Sequence, residues 1–135
     1  MSRVLMMLTA AALLGTAACD SDEVTGGHGT PVDAALFISG AEVTSNFTLT
    51  EGQTVRVEVR FLDEHGDEIH GLEPGHHTSL TFSPASLATV AEVPDQVFFR
   101  DVTGGTAGTG SVSVGYGHSP AADEDSFGPI AVTVQ

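Results

Sequence analysis

Apolar and polar side chains alternate along most of the chain from residue 34 onward, which is the pattern of strands and not of helices. The clearest case is residues 54–62, where the apolar positions are Val55, Val57, Val59 and Phe61 and the positions between the valines and Phe61 carry arginine or glutamate. Because successive side chains of a strand point to opposite faces, this alternation predicts one buried and one solvated face. No stretch of this region has the apolar spacing of three and four residues that an amphipathic helix requires.

Further short segments carry the same pattern, and glycine, proline and aspartate separate them. They are residues 35–39, 47–50, 78–83, 87–91, 96–102, 111–116 and 130–134. The residues between them have turn chemistry, and the glycine-rich run at residues 104–110 fits neither a dinucleotide loop nor a phosphate loop. Seven or eight short strands in about 100 residues, with turns at regular spacing, predict an all-β sandwich.

The first 18 residues have the organisation of an export signal. Arg3 supplies a positive charge, an apolar stretch runs from residue 4 to residue 14, and small residues lead to Cys19. This arrangement resembles the signal peptide of a bacterial lipoprotein, in which cleavage leaves a lipid-bearing cysteine at the N-terminus. We therefore expect residues 1–18 to be removed and Cys19 to be lipidated, so that the protein is exported and anchored to the bacterial cell envelope, facing the periplasm or the surface. Ordinary secretion is the alternative, since Thr16 stands where lipoprotein signals usually have leucine.

A short polar segment separates this signal from the predicted domain. Residues 19–33 are rich in aspartate, glycine, threonine and serine, and we expect them to be the lipidated cysteine and a flexible tether. The domain itself is expected to span residues 34–135. Because Cys19 is the chain's one cysteine, neither a disulfide nor a thiolate metal site can hold that domain together.

The charge of the chain narrows the classes of partner. It contains 18 aspartate and glutamate residues against four arginines and no lysine, and its formal net charge is −14. So acidic a surface repels phosphate backbones, which excludes nucleic acid as a partner. It also offers no polybasic route to anionic lipids, so membrane attachment is expected only through the N-terminal lipid.

Three stretches of the predicted domain carry a likeness to a known family. They are residues 50–55 (TEGQTV), residues 80–90 (LTFSPASLATV) and residues 102–114 (VTGGTAGTGSVSV). They resemble the bacterial immunoglobulin-like domains of invasin and intimin type surface proteins, and the likeness covers residues 34–135. It implies an immunoglobulin-like antiparallel β-sandwich of about seven to eight strands that serves as a structural or adhesive module. The loops at residues 63–77 and 117–128 are longer than is usual in that family.

Histidine and acidic residues concentrate in these two longer loops. In an immunoglobulin-like sandwich, residues 78–83 and 111–116 would be antiparallel neighbours, which brings the residues just before the first segment near those just after the second. Imidazole together with carboxylate suits zinc or copper, whereas calcium fits less well because the acidic residues lack its ligand spacing. The candidate ligands, in order of preference, are His77 and His118, then His76, then Asp123 or Asp125. The alternative, that these are solvated loop residues, stays open because no metal-binding motif is present.

Catalytic chemistry has little support, and we expect the protein not to be an enzyme. His118 and Ser119 are adjacent, but no nucleophile elbow accompanies them. Phe98 and Phe99 are also adjacent, so in a strand they point to opposite faces. We expect one to enter the core and the other either to cover the edge of the domain or to meet a partner.

Two functions follow from these observations. The leading hypothesis is a cell-envelope lipoprotein with a single immunoglobulin-like domain that acts as a structural or protein-interaction module and contacts envelope or extracellular proteins. The alternative is a periplasmic or surface protein that binds zinc or copper through the histidine and aspartate residues of its loops.

Overall fold

A computed structural model describes residues 30–71, 76–117 and 125–135 of the chain. Within these residues the secondary structure consists of β-strands and one short 3-10 helix, Ala85–Leu87, so the all-β prediction is confirmed. The strands in chain order are β1 (Asp33–Ile38), β2 (Ala41–Glu42), β3 (Phe47–Leu49), β4 (Thr54–Leu62), β5 (His77–Ser83), β6 (Ala88–Glu92), β7 (Phe99–Gly104), β8 (Gly108–Gly117) and β9 (Asp125–Val134).

The strands form two sheets with the immunoglobulin arrangement. The five-stranded sheet has the order β2-β1-β4-β7-β6, and the four-stranded sheet has the order β3-β9-β8-β5. Without the short β2 and β3, these are the four-strand and three-strand layers of an immunoglobulin domain, as predicted. The bounds of β7, β8 and β9 differ from the predicted segments 96–102, 111–116 and 130–134. Two details of the strand pairing also differ from the prediction. A two-residue β2 forms a hairpin with β1 and adds a ninth strand, and β3 pairs with β9 in parallel, with Phe47 opposite Val132.

The core lies between the inward faces of the two sheets. Strand β4 has the predicted bounds, and its residues Val57, Val59 and Phe61 are fully buried. The ring of Phe61 meets that of Tyr116 edge-on, with centroids 5.3 Å apart, and that of Phe127 at 5.8 Å. Burial of each such side chain contributes about 1.5–3 kcal/mol, so this apolar packing is what holds the sheets together.

The glycine-rich run joins β7 to β8 where there is no room for side chains. A Cβ on Gly105 would lie 2.2 Å from the carbonyl oxygen of Ser86, and one on Gly104 would lie 2.3 Å from that of Thr50. The amide of Gly105 donates to the carbonyl oxygen of Leu87 at 2.7 Å. Residues 105–107 are therefore the turn-type connection that was predicted, whereas Gly104 belongs to β7 and residues 108–110 belong to β8.

Strand directions give the sandwich two distinct ends. At one end Asp33 lies opposite Leu62, and the amide of Val32 donates to the carbonyl oxygen of Leu62 at 2.9 Å. The connections that follow β4, β6 and β8 leave from this end, which we call the loop pole. At the other end, the distal end, the amide of Glu51 donates to the carbonyl oxygen of Gln135 at 2.9 Å. The segment that precedes β1 thus joins the domain at the loop pole.

Candidate functional site

The loop pole contains the described part of the predicted metal site. The prediction that β5 and β8 are antiparallel neighbours is confirmed, since His77 lies opposite Gly117, the residue before His118. On the other side of β8, Asp125 lies opposite Tyr116. Of the other three candidate ligands, His76 is described, whereas His118 and Asp123 lie outside the described residues, as does the lipidation candidate Cys19.

The two consecutive histidines of this set have different surroundings. The ring of His76 stacks on that of Tyr116, with centroids 4.8 Å apart and planes inclined by 21°. His77 instead lines a cavity of about 200 Å³ together with the connection between β6 and β7 and with Arg100. Within residues 30–71, 76–117 and 125–135, no three histidine, cysteine, aspartate or glutamate side chains form a group that could hold a metal ion.

The remaining histidines of the loop after β4 are exposed and lie beside carboxylates. His65 Nδ1 is 3.8 Å from Asp63, and His70 Nδ1 is 3.7 Å from Glu68. Asp63 accepts hydrogen bonds from the backbone amides of His65 at 2.8 Å and Asp67 at 3.0 Å. These backbone hydrogen bonds, that of Asp67 first, lower the pKa of the Asp63 carboxyl below its ordinary value of 3.8. This segment is a polar turn at the end of β4, as the turn chemistry of the residues between the predicted strands indicated.

A buried arginine, Arg100, lies at the loop pole beside the cavity that His77 lines. Arg100 is 5% exposed, and its guanidinium donates to the carbonyl oxygens of Phe99 at 2.6 Å, Val97 at 3.2 Å and Thr78. The hydroxyl of Thr78 also donates to the carbonyl oxygen of Val97, at 2.6 Å. Burial lowers the pKa of Arg100, although Glu92 opposes this shift. The arginine ties β5 to the β6–β7 connection, and its charge disfavours a second cation in the same cavity.

The outer face of the five-stranded sheet has a larger concave surface, which we call the outer groove. It has a volume of about 500 Å³ and crosses β1, β4 and β7. Three of its residues form a row across the sheet, because Phe37 lies opposite Glu58 and Glu58 lies opposite Phe99. The two rings therefore stand on either side of a carboxylate. The groove also reaches Arg56 on β4 and the turn between β1 and β2.

Two bidentate ion pairs fix the charged side chains around the outer groove. Arg60 donates to both carboxylate oxygens of Glu58, at 2.9 and 3.1 Å, and Arg56 does the same to Asp101, at 2.9 and 3.1 Å. The hydrogen bonds from Arg56 lower the pKa of Asp101, and those to Glu58 raise the pKa of Arg60. The guanidinium carbon of Arg60 also lies 4.1 Å from the centroid of the Phe37 ring.

The sequence predicted that one of Phe98 and Phe99 faces the surface, and it did not predict the other residues of the outer groove. Phe98 packs against the core, with its ring 6.4 Å from that of Phe61, whereas Phe99 lines the outer groove, so the predicted division of these two rings is confirmed. The row from Phe37 through Glu58 to Phe99 depends on the register of three strands, which alternation within each strand does not specify. The alternating arginine and glutamate of β4 was the available signal for a charged outer face.

No protein-family model matches the chain, and a search of curated proteins finds no match. Among the described residues, no helical segment has the length and hydropathy needed to cross a bilayer.

Proposed function

We propose that the protein is an exported envelope lipoprotein whose single immunoglobulin-like domain binds another envelope or extracellular protein through the outer groove. The observation that carries this proposal is the groove itself, which combines two half-buried phenylalanine rings with fixed charges on an otherwise solvated sheet face. Aromatic rings with a few oriented polar groups are characteristic of binding surfaces. The resemblance to invasin and intimin type domains, which serve as adhesive or spacer modules, points in the same direction.

The position of the groove suits a protein anchored through Cys19. The segment before β1 joins the domain at the loop pole, beside Leu62. Along β4 the groove extends from Glu58 to Thr54, which is about 13 to 26 Å from Leu62 at the rise of a strand. A lipid at Cys19 would therefore leave the groove in the half of the domain that lies farther from the attachment point.

Site-specific photo-crosslinking in the native host tests this proposal. A photoreactive amino acid at Ser39, which lines the groove, is compared with one at Thr133, an exposed position on β9 of the other sheet. We expect a discrete crosslinked product from position 39 and none from position 133. Products of the same size and yield at both positions, or none at either, would contradict binding through the groove.

The anchor is tested separately at the N-terminus. Mass spectrometry of the protein isolated from membranes should find Cys19 as the first residue, carrying a lipid. A Cys19→Ala variant should then appear in the soluble envelope fraction or remain unprocessed. A wild-type protein with an unmodified cysteine would instead support ordinary secretion.

Metal binding at the loop pole is the second candidate function. The register that sets His77 opposite Gly117, and Asp125 opposite Tyr116, favours it. Calorimetric titration with zinc, copper and calcium should give submicromolar binding that a His77→Ala plus His118→Ala variant loses. The matched control replaces His65 and His70, which are exposed histidines of the loop between β4 and β5, and should leave metal binding unchanged. Absence of heat with all three metals would remove this candidate.

A further inference from the structure

We infer that the outer groove takes a basic side chain, arginine or lysine, of an extended partner segment and holds it against the Phe99 ring beside Glu58, across the carboxylate from Phe37 and Arg60. This inference rests on the proposed function and names the chemistry of the partner. It follows from the spacing of the row, from a cation that the domain already holds in the same way, and from the charge of the chain.

The row has the spacing that a single side chain needs. Phe37 and Phe99 are on the two strands that flank β4, so their backbones are two strand spacings apart, about 10 Å. Each ring requires about 3.5–4.0 Å to a group that contacts its face. Two strand spacings are too narrow for two further stacked side chains, and because the Arg60 guanidinium already covers the Phe37 ring, the open position is the one beside Phe99. The carboxylate of Glu58 lies at the middle of this interval.

Arg60 already makes this type of contact on one side of the row. Its guanidinium lies over the Phe37 ring and donates two hydrogen bonds to Glu58. A carboxylate has about four lone-pair sites, so Glu58 retains acceptor capacity after binding Arg60. Glu58 is 25% exposed, which leaves it accessible from the groove. The Phe99 side of the row thus repeats the chemistry of the Phe37 side, with the cation to be supplied by the partner.

The charge of the chain favours a cationic occupant over an anionic one. The net charge is −14, which attracts basic segments at long range. The arginine at the groove, Arg56, is already neutralised by a bidentate pair with Asp101, so it offers an anion little. Arg60 is likewise held by Glu58 and lies 3.7 Å from Glu68. The net negative charge of the chain would repel an acidic partner that approached this face.

Nuclear magnetic resonance titration of the native, processed protein in nanodiscs tests the inference. The probe is the tripeptide acetyl-Gly-Arg-Gly-amide, and its matched control carries citrulline, which has a similar shape but no charge. We expect the arginine peptide to shift the amide resonances of Glu58 and Phe99 and to bind about fivefold more tightly than the citrulline peptide, as a cation–π contact of about 1 kcal/mol implies. An aspartate tripeptide is expected not to bind.

Three variants separate a binding role from a structural one. Glu58→Gln should weaken binding of the arginine peptide about fivefold, and Phe99→Leu should weaken that binding by a similar factor. Arg60→Gln should strengthen it, because it vacates Glu58 and Phe37. Thr133→Ala, on the other sheet, should have no effect, and dispersed amide spectra establish that each variant is folded.

Several results would overturn the inference. They are equal binding of the arginine and citrulline peptides, preference for the aspartate peptide, no binding of any peptide, and unchanged binding by Glu58→Gln. If crosslinking from position 39 succeeds while the arginine peptide fails, the groove binds a partner of different chemistry, and only the present inference is lost. If crosslinking also fails, the proposed function is lost with it.

Discussion

Replacement of Gly105 by alanine is the sharpest test of how the two sheets are connected. The added Cβ would lie 2.2 Å from the carbonyl oxygen of Ser86 and 3.0 Å from the carbonyl carbon of Leu87. Neither group can move away freely, because the Ser86 oxygen accepts from Thr106 at 2.8 Å and the Leu87 oxygen accepts from Gly105 at 2.7 Å. Overpacking typically costs 1–3 kcal/mol, and a clash against hydrogen-bonded backbone belongs at the upper end, about 3 kcal/mol. For a domain of about 100 residues, each kcal/mol lowers the melting temperature by roughly 4–8 °C.

Urea denaturation and thermal melting followed by circular dichroism measure this loss. Thr106→Ala, at the exposed neighbouring position, should stay within about 0.5 kcal/mol of the wild type. Gly52→Ala faces open space but has a φ of +73°, so it should cost about 1–2 kcal/mol through backbone strain alone. The expected order of stability is Thr106→Ala, then Gly52→Ala, then Gly105→Ala. A Gly105→Ala protein as stable as Thr106→Ala would refute the close backbone packing.

Three other predictions concern stability. Arg100→Leu removes the guanidinium donors to the carbonyl oxygens of Thr78 and Phe99 and one of the two donors to that of Val97, so it should lower the free energy of unfolding by about 2–3 kcal/mol. Arg100→Lys should be intermediate in urea melts, and an unchanged midpoint for Arg100→Leu would contradict a stabilising role of this arginine. The depressed pKa of Asp63 means that its contribution to stability is complete above pH 3.8 and is lost as the pH falls through its lower folded-state pKa. Asp63→Asn should therefore flatten the acid limb of the curve of urea midpoint against pH. Parallel curves for the variant and the wild type would contradict this reasoning. Phe98→Ala should destabilise more than Phe99→Ala in the same melts, because only the first ring packs on the core; the reverse order would contradict the assigned faces.

The strands were the most predictable part of the fold, because a strand with one buried face records that face in its sequence. Strand β4 has its predicted bounds since every second residue enters the core. The ends of β8 were less accurate, because its first residues include Gly108 and Gly110, which give no apolar signal. The two-residue β2 was missed, and the parallel pairing of β3 with β9 was not foreseen, because partner and direction depend on tertiary contacts and not on alternation.

The candidate sites depended on contacts between distant segments, and the sequence specified these only in part. The topology of an immunoglobulin domain was sufficient to set His77 beside the segment that carries His118. It could not foresee that His76 stacks on Tyr116 or that Arg100 lines the same cavity as His77. The outer groove was hidden because Phe37, Glu58 and Phe99 come together only through the register of three strands.

The most direct test of the proposed binding site is an isotope-filtered nuclear Overhauser measurement on the protein with the bound arginine tripeptide. If the groove holds one basic side chain beside Glu58, the arginine side-chain protons should show contacts to the Phe99 ring and to the side chain of Glu58 in the same complex. Contacts to residues of the loop pole such as His77, with none to the Phe99 ring, would contradict a cation held beside Glu58.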